Sequence, residues 1–508
     1  GSLNTSINRQ FLKKKLIVTA SYNDFLFTNK NNFTLRQGSQ NAVGYRENDS
    51  RRWGLSLRYN FGFKPKENKM DKDRIDRASQ LEVPLFPLLK ENIHANYLCE
   101  SGASLTSVKE DPELHVTGWV SGRITQINNL GKICFLFVKR DDKLWQICVT
   151  KDQEVPFQAA KKMQVGDIVT STGYSFRTEK GKLCLWVTEI QLLTKSYKDP
   201  GKVLSDNKTT DTEKLYRQPY LAMMQGNLNV IKQRGLIIRS IRRFFEELYF
   251  IEVETPTLLS VNSGANAKPF TTHYNALGED FFLRVAPELS LKKLLVGGME
   301  RIFEIGKNYR NEGMSKRHNP EFTSLEAYSA YTDCNSMIKT FMELVNHLSI
   351  SYDGPELKIE VISMKDLVRQ AISGIEVTYE NLNETFEIYV APFLINPTIV
   401  TDYPIYCSPL AKAKDEYFAD RFEFYWNGME IANGFAEEND PIEQRKKFLS
   451  QAAKKDEEMG IDEDFLTALE YGMPPSTGLG IGIDRLVMCL LGLDNINDVI
   501  TFPTYSRK

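Results

Sequence analysis

Residues 283–331 constrain the fold of this chain more than any other stretch. A leucine-rich segment with helical spacing ends at Gly297 and Gly298, and two strand-like runs follow at residues 299–309 and 322–331. Both runs have the apolar content of buried strands. The stretch therefore predicts a helix followed by two buried strands that a polar loop connects.

The loop between those strands concentrates charged and polar side chains. They are Arg310, Asn311, Glu312, Arg317, His318, Asn319 and Glu321. An arginine that opens such a loop suits bidentate capture of a phosphate or a carboxylate. A solvated hairpin tip without any ligand gives the same pattern, so this stretch alone leaves both interpretations open.

Three segments resemble the three signature motifs of the class II aminoacyl-tRNA synthetases. Residues 239–259 (RSIRRFFEELYFIEVETPTLL) resemble motif 1, residues 303–328 (FEIGKNYRNEG, then RHNPEFTSLEAY) motif 2, and residues 478–492 (GLGIGIDRLVMCLLG) motif 3. Residues 284–298 (RVAPELSLKKLLVGG) resemble the lysyl-tRNA synthetase version in particular. Three matches of this length in the right order form a specific signal, and the resemblance covers about residues 112–508.

The resemblance implies an α+β protein with an N-terminal OB-fold barrel and a class II catalytic domain, which is an antiparallel sheet flanked by helices. We expect the chain to be divided into an appendage (1–69), an irregular extension (70–111), the barrel (112–197), a linker (198–227) and the catalytic domain (228–508).

The barrel is also indicated by the residues themselves. Five short strand patterns separated by turn residues occupy residues 115–127, 132–140, 144–152, 167–178 and 182–195. Such barrels bind unpaired bases by stacking them on aromatic rings.

The resemblance implies that Arg123, Phe135 and Gln146 bind the anticodon, with Phe135 stacking on one base and Gln146 hydrogen bonding to another. A barrel-core position remains the alternative for Phe135. Asn128 and Asn129 stand where the family carries arginines, which weakens the expected phosphate contacts, although Arg123 and Lys132 remain.

A second hairpin is predicted around Asn427 and Gly428, a strong two-residue turn signal. That register pairs Tyr425 with Glu430 and puts Glu423 on the same face as Glu430. Two carboxylates on one face repel unless a cation joins them, and hard oxygen ligands beside phosphates suit Mg²⁺. The resemblance assigns both glutamates to magnesium, although an exposed charged face is the alternative for an isolated hairpin.

The resemblance also assigns Asn433, Phe435 and Glu437 to the lysine pocket. Strict alternation places these three residues on the opposite face from Glu430. We therefore expect a β-bulge between Glu430 and Asn433, helped by Gly434.

The resemblance implies chemistry in two steps: lysine reacts with ATP to give lysyl-adenylate and pyrophosphate, and the lysyl group then passes to the 3′ end of tRNA(Lys). Arg310 and Arg485 are the implied catalytic residues. The implied ATP-binding residues are Arg310, Glu312, His318, Asn319, Phe322 and Arg485. The implied lysine-binding residues are Gly264, Glu288, Arg310, Tyr328, Asn433, Phe435 and Glu437.

Within those sets the resemblance implies individual roles. Phe322 and Arg485 sandwich the adenine, Glu288 binds the α-ammonium group, and Glu437 faces the ε-ammonium group together with Tyr328.

The composition is compatible with such an enzyme. Lys+Arg 64 against Asp+Glu 66 gives a net charge of -2, so any RNA contact must be local. The seven scattered cysteines predict free thiols in a reducing compartment. No apolar run has the length of a membrane-spanning helix.

We expect a cytoplasmic homodimer, without a membrane association, in which an amphipathic helix at residues 231–248 lies near the dimer interface.

Three parts of the chain depart from this pattern. Residues 1–69 alternate in polarity near Leu16 and Trp53 and resemble the last strands of a Bacteroidetes outer-membrane β-barrel, which favours an appendage with Met70 as the true start. Pro219 replaces a usual arginine in the linker. The region between Tyr331 and Pro397 is shorter than in most bacterial members.

Three other function classes fit parts of the sequence. A synthetase-like paralogue that charges a protein, such as elongation factor P, would lack the barrel that residues 112–197 predict. A non-catalytic tRNA-binding protein would have lost Arg310, Arg485 or a metal carboxylate, and this chain retains them all. A membrane barrel protein rests on residues 1–69 alone.

Overall fold

The computed structural model describes residues 103–504 except 113–114, 142, 205–211, 262–263, 265–266, 373–376 and 454–460. Before residue 103 it describes five strands as backbone elements, and the single positions 74, 86, 93 and 96–98. The chain divides into two compact units, Gly1–Gly201 and Lys202–Lys508.

Five strands precede residue 60, and each pairs antiparallel with a neighbour. They are β1 (Thr5–Phe11), β2 (Leu16–Asn23), β3 (Lys30–Gln37), β4 (Gln40–Glu47) and β5 (Arg52–Tyr59), in sheets of order β1-β2-β5 and β3-β4. The alternating patterns near Leu16 and Trp53 correspond to β2 and β5, which pair with each other. Positions 60–63 of the second pattern lie outside the described residues, as do Gly1, Ser2 and Met70.

A closed five-stranded barrel follows in the first unit. Its strands are β6 (Thr117–Asn129), β7 (Ile133–Arg140), β8 (Lys143–Thr150), β9 (Ile168–Arg177) and β10 (Leu183–Thr194), in the order β10-β8-β7-β6-β9. Alternate residues such as Val120, Leu136 and Val149 fill the interior. A Cβ at Gly173 would lie 1.9 Å from the Trp186 carbonyl oxygen, so only glycine allows β9 and β10 to approach this closely.

Two helices complete the barrel region. Glu154–Lys162 inserts Phe157 and Ala160 into the barrel interior. Leu105–Glu110 packs Val108 into a second apolar cluster outside the barrel, beside Cys148 and Trp186. This helix corrects the expectation that residues 70–111 are irregular throughout.

The second unit is built on an eight-stranded sheet of order β11-β15-β16-β21-β20-β19-β18-β17, with a small sheet β12-β14-β13 beside it. The strands are β11 (Ile251–Glu252), β12 (Leu258–Leu259), β13 (Phe270–Tyr274), β14 (Glu279–Leu283), β15 (Arg301–Tyr309), β16 (Glu321–Ala330), β17 (Glu360–Ser363), β18 (Thr398–Pro404), β19 (Phe418–Trp426), β20 (Met429–Ala436) and β21 (Ser476–Gly482). Only the two edge pairs of the large sheet are parallel. The α+β class expected from the sequence is confirmed.

Helices flank this sheet. From residue 201 onward they are Gly201–Leu204, Thr212–Arg217, Pro219–Ala222, Leu228–Glu247, Glu288–Val296, Cys334–Ser351, Met364–Ala371, Leu382–Tyr389, Pro441–Ala453, Glu463–Glu470 and Ile483–Leu491. A π-helical turn lies at Met223–Asn227, and 3-10 turns lie at Ala391–Phe393, Ile405–Cys407 and Ile496–Asp498.

The longest helix, Leu228–Glu247, shows why these segments cover the sheet. Ile237, Ile241 and Phe245 repeat every four residues along one side and are fully buried. Phe245 stacks on Phe303 of the central sheet, with ring centroids 5.3 Å apart.

The segment predicted as a linker is largely helical where it is described. Pro219 occupies the first turn of Pro219–Ala222, where a proline removes no helical hydrogen bond. The substitution of a usual arginine therefore costs this segment a charge without disturbing its backbone.

Six of the cysteines fall within the described residues, and all six are free thiols. In the same part of the chain, no helix is both long enough and apolar enough to cross a membrane.

Candidate active site

One cavity of about 950 Å³ lies over the centre of the large sheet. It brings together nearly all the residues that the sequence predicted for this unit: Gly264, Glu288, Arg310, Glu312, His318, Asn319, Phe322, Tyr328, Glu430, Asn433, Phe435, Glu437 and Arg485. Only Glu423 among the predicted residues does not line it. The hairpin loop of motif 2 is thus a wall of a cavity, although residues 311–318 themselves are exposed to solvent.

Arg310 begins that loop directly after β15. Its backbone N–H donates to the Pro320 carbonyl across the loop at 2.9 Å, and its guanidinium lies 5.0 Å from the Phe322 ring centroid. Arg310 Nε is buried without a hydrogen-bond partner among the described residues. A buried cationic donor that faces a cavity is suited to an anionic ligand.

Arg485 lies in the first turn of Ile483–Leu491 and closes the same end of the cavity. Its guanidinium donates to the Glu430 carbonyl at 2.7 Å and lies 2.8 Å from His318 Nε2. Partial burial and the Arg485 charge lower the pKa of His318, so the neutral ring accepts from Arg485. These hydrogen bonds lie in the guanidinium plane and leave its flat face for stacking.

The remaining predicted nucleotide residues belong to the motif 2 loop. Asn319 is buried and donates to the Glu321 carbonyl at 2.6 Å, which fixes the end of the loop before β16. Glu312 is exposed at the cavity rim. Arg317, on the same loop, donates to the Gly428 carbonyl at 2.6 Å and so ties the loop to the second hairpin.

That second hairpin has the predicted turn and the predicted bulge. Tyr425 pairs with Glu430, and the register shifts by one residue so that Ile431 is the extra one. Glu430 and Asn433 consequently face the same cavity. Gly434 has a different role from the expected one, because it lies outside the bulge and its missing side chain makes room for the Phe422 ring.

Glu423 and Glu430 differ in their surroundings. Glu423 is buried and accepts from Tyr403 and Tyr425 on Oε2, while Arg421 pairs with Oε1. Burial and the nearby Glu423 carboxylate raise the pKa of Glu430 to about 7. The interpretation of the pair as an exposed charged face is therefore wrong.

Of these two carboxylates, only Glu430 faces the cavity, because both oxygens of Glu423 are engaged by Tyr403, Tyr425 and Arg421. Arg485 Nη1 lies 3.9 Å from Glu430 Oε2, and a divalent cation beside Glu430 would relieve the repulsion that raises its pKa. Two protein carboxylates with phosphate and water oxygens form the ligand set that Mg²⁺ prefers. Among the described residues, no group of three or more His, Cys, Asp or Glu side chains could hold a metal alone.

The opposite end of the cavity is buried and anionic. Glu437 is 1% exposed, so its carboxylate lies in the protein interior. Its Oε2 lies 2.5 Å from Lys292 Nζ, and Lys292 also pairs with Glu288 Oε1 at 2.6 Å. Burial, partly offset by the Lys292 charge, raises the pKa of Glu437 to about 8.

Two charged residues of this end were missed by the sequence analysis. Glu326 lines the cavity from β16, and its Oε2 accepts from the Tyr328 hydroxyl at 3.0 Å. Burial and the Glu288 charge raise the pKa of Glu326 to about 8. Lys292 is the other one, and its spacing of four residues from Glu288 on a helix is the signal that could have identified the pair.

Glycines shape the floor beneath these carboxylates. A Cβ at Gly478 of β21 would lie 2.1 Å from Glu437 Oε1 and 2.7 Å from the Tyr328 ring. Gly264 lines the cavity with a φ of 96°, a left-handed conformation that favours glycine.

The three predicted anticodon residues lie in the first unit. Phe135 and Gln146 are half-buried on adjacent strands β7 and β8, and Phe135 packs against the apolar cluster outside the barrel. Phe135 is therefore not in the barrel core, which contains its neighbours Cys134 and Leu136. Arg123 donates to the Gly166 carbonyl at 2.8 Å, so at least one of its N–H groups is used within the barrel.

Comparisons with known proteins give the family of this chain. Residues 211–506 match the family model described as tRNA synthetases class II (D, K and N), and the chain belongs to that family. The chain is 38% identical over 487 residues to the lysine--tRNA ligase of Helicobacter pylori strain HPAG1, which covers 86% of this chain and 96% of that protein.

Two further lysine--tRNA ligases are similarly related to this chain. The protein of Moorella thermoacetica is 40% identical over 435 residues, with 77% of this chain and 88% of that protein covered. The protein of Carboxydothermus hydrogenoformans is 41% identical over 432 residues, with 76% and 88% covered.

Proposed function

We propose that this chain is a ligase that activates L-lysine with ATP and transfers the lysyl group to tRNA(Lys). The observation that carries the proposal is the polarity of the cavity. Arg310 and Arg485 stand at one end, where a polyanion can enter, and buried carboxylates around Glu437 close the other end. Lysine is an amino acid with two ammonium groups, and the carboxylate-lined end fits them.

In the first step the lysine carboxylate attacks the α-phosphorus of ATP in line, and pyrophosphate leaves. No side-chain nucleophile is required, so the residues act by positioning and by charge stabilisation. Arg310 is placed to donate to both the carboxylate and the α-phosphate as their charges redistribute. Phe322 and the flat face of Arg485, which line the same cavity, would hold the adenine between them, and neutral His318 contributes a polar edge.

Glu423 and Glu430 would hold Mg²⁺, which supplies a positive charge that neutralises phosphate oxygens. Glu430 faces the cavity with Arg485 Nη1 3.9 Å from its Oε2, whereas Glu423 Oε1 is paired with Arg421. Glu312 and Asn319 frame the nucleotide from the loop.

Lysine binds at the closed end with its α-ammonium near Glu288 and the Gly264 carbonyl, and its ε-ammonium near Glu437 and Tyr328. The Tyr328 hydroxyl donates to Glu326, so its oxygen lone pair remains available to accept. Asn433 and Phe435 complete the side walls.

The second step transfers the lysyl group to the 3′-terminal hydroxyl of tRNA. We assign residues 228–508 to the catalytic domain and residues 112–197 to an OB-fold anticodon-binding domain. The half-exposed faces of Phe135 and Gln146 on neighbouring strands support base stacking and hydrogen bonding there.

Measurement of ATP–pyrophosphate exchange with each of the twenty amino acids tests the activation step. We expect exchange with lysine alone, and acylation of tRNA(Lys) by the same protein. Exchange that depends on another amino acid, or none in a folded protein, would refute the proposal.

Substitution of Phe135 tests the barrel separately. Phe135→Ala should lower kcat/KM for tRNA by roughly 5- to 150-fold, since stacking on a base is worth ~1–3 kcal/mol. Lysine activation should not change. A matched Phe137→Ala variant, on the same outer face of β7, distinguishes a base contact from general loss of an aromatic ring. Equal losses in both assays would make Phe135 a structural residue.

We also propose a cytoplasmic homodimer. Tyr249 and Ile251, which follow the helix Leu228–Glu247, are 83% and 57% exposed, and such a patch is suited to burial against a second copy. Sedimentation equilibrium should give twice the chain mass, and Tyr249→Asp should shift it toward the monomer. A monomeric wild-type protein at micromolar concentration would refute this assignment.

A further inference from the structure

Lys292 carries a fully buried positive charge at the closed end of the cavity. Its Nζ lies 2.6 Å from Glu288 Oε1 and 2.5 Å from Glu437 Oε2, and no part of the side chain is exposed. The rings of Phe435 and Phe465 lie 5.5 Å and 6.0 Å from this Nζ atom. Two carboxylates and two rings thus surround the ammonium group.

The net negative charge of the side chains at this end equals in size the positive charge of a dication. Glu288, Glu326 and Glu437 are the three carboxylates that line it, and Lys292 offsets one of them. Two negative charges remain when all three are ionised, which equals the two ammonium groups of lysine. The entry of those cations favours that state, because it lowers the raised pKa values of Glu326 and Glu437. The substrate carboxylate is directed to Arg310 at the other end.

We propose that Lys292 is a positioning residue, a fixed counter-ion that orients Glu288 and Glu437 and leaves the pocket with the charge of a site for a dicationic amino acid. The inference rests on the proposed lysine pocket and deepens it. Lys292 does not bind the substrate directly and acts through the two carboxylates.

The geometry allows Lys292 to stay in place when lysine binds. Both oxygens of Glu437 are buried without a regular hydrogen bond among the described residues, but Oε2 forms the ion pair with Lys292, whereas Oε1 lies beside Gly478. A substrate ammonium group can therefore take Oε1 while Lys292 keeps Oε2. Lys292 is fully buried and pairs with both carboxylates. Movement of its ammonium group out of the pocket would therefore leave two buried carboxylates uncompensated.

The groups that face Glu437 predict how its titration depends on Lys292. Lys292 and Glu288 face it from the helix Glu288–Val296, and Glu326 and Tyr328 face it from β16. The helix Glu463–Glu470 contributes the Phe465 ring, and Lys447 of Pro441–Ala453 is paired with Glu438 at 2.5 Å. Lys292 is the cation that opposes the effect of burial, so its removal should raise the pKa of Glu437 further above 8.

The test compares lysine kcat/KM across pH 6.5–9 in the full-length protein and its variants. Lys292→Met should lower kcat/KM for lysine about 30-fold or more at pH 7.5, and the rising limb of the profile should move at least one unit toward alkaline pH. The KM for ATP should stay within twofold. Lys293→Met is the matched control, because Lys293 is the next residue of the helix and pairs with exposed Asp464 outside the pocket. Its profile should match the wild type.

A second pair of variants keeps the test valid if Lys292→Met fails to fold. Glu288→Gln combined with Lys292→Met removes one carboxylate together with the ammonium group, so no net buried charge is created. Its lysine profile should rise at higher pH than that of Glu288→Gln alone, and the two losses should be less than additive.

Three results would overturn the inference. An unshifted profile in Lys292→Met, or identical profiles for Glu288→Gln and the double variant, would make Lys292 merely structural. Tighter lysine binding by Lys292→Met would mean that Lys292 competes with the substrate. If the wild type and Lys293→Met both fail to activate lysine, the proposed function itself fails, which is a distinguishable outcome.

Discussion

The charged side chains at the two ends of the cavity differ in their burial and in their partners. At the nucleotide end, His318 is exposed and the Arg485 side chain is 23% exposed, and their hydrogen bonds join loop, helix and hairpin backbone. At the amino-acid end, the Lys292 and Glu437 side chains are fully buried and pair with each other. A polyphosphate can be bound by cationic side chains that are partly solvated. A cationic amino acid is distinguished from neutral ones only in a pocket so buried that a carboxylate left unpaired there is costly. Four predictions separate the two ends.

The largest effect is expected at Arg310, which serves both substrates. Arg310→Ala should lower kcat of pyrophosphate exchange by ~10²–10³-fold, since preorganised donors to developing charge are typically worth that much. Arg310→Lys retains the charge without the planar fork and should recover only part of the loss. Near-normal exchange in Arg310→Ala would place the catalytic donor elsewhere.

Glu437→Gln should affect the amino-acid end alone. Truncation of one partner in a buried charge pair costs roughly 2–5 kcal/mol, so kcat/KM for lysine should fall by about two orders of magnitude or more. The KM for ATP should be almost unchanged. Glu438→Gln is a suitable control, because the neighbouring Glu438 pairs with Lys447. A wild-type KM for lysine in folded Glu437→Gln protein would remove the basis for lysine specificity.

Gly478→Ala tests how closely the side chains pack against the floor of the pocket. The added methyl group meets Glu437 Oε1 and the Tyr328 ring, and overpacking of this kind costs ~1–3 kcal/mol. We expect kcat/KM for lysine to fall by roughly 5- to 150-fold with little change for ATP. Gly480→Ala, on the same strand, has its nearest neighbour at 3.7 Å and should be milder. The reverse order of effects would contradict the assigned position of the lysine side chain.

The smallest effect is a pH dependence that only the amino-acid end should show. A carboxyl with a pKa of about 8 is mostly protonated at pH 7 and accepts an ammonium group well only after ionisation, so kcat/KM for lysine should rise with pH. Between pH 7.0 and 8.5 the increase should be roughly eightfold. His318, with a lowered pKa, stays neutral in this range, and saturating Mg²⁺ keeps Glu430 ionised despite its raised pKa of about 7, so the KM for ATP should change less than twofold. Parallel profiles for both substrates would contradict the separation of the two ends.

Much of this architecture was predictable from local signals. The Asn427–Gly428 turn sets the register that pairs Tyr425 with Glu430, and parity then requires a bulge before Asn433. The five barrel strands and the helix after Gly482 were also predictable from the sequence, because apolar periodicity and turn-forming glycines are properties of neighbouring residues.

What the sequence could not indicate depends on contacts between distant segments. Lys292 and Glu437 are far apart in the chain, and nothing local identifies one as the counter-ion of the other. Glu326 resembles any polar residue on a strand until burial raises its pKa. The engagement of Arg123 with the Gly166 carbonyl depends likewise on how the barrel closes.

The single extra residue at Ile431 limits how this site can change during evolution. On an unbulged strand, residues that face one side are separated by even numbers, but Glu430 and Asn433 are three apart and face the same cavity. Deletion of Ile431 would turn the Glu430 carboxylate away from the cavity while Asn433, Phe435 and Glu437 kept their positions. An insertion or deletion in β20, before or after Ile431, would therefore turn some of these side chains away from the cavity. The residues of β20 that face the cavity can change only by substitution, one residue at a time.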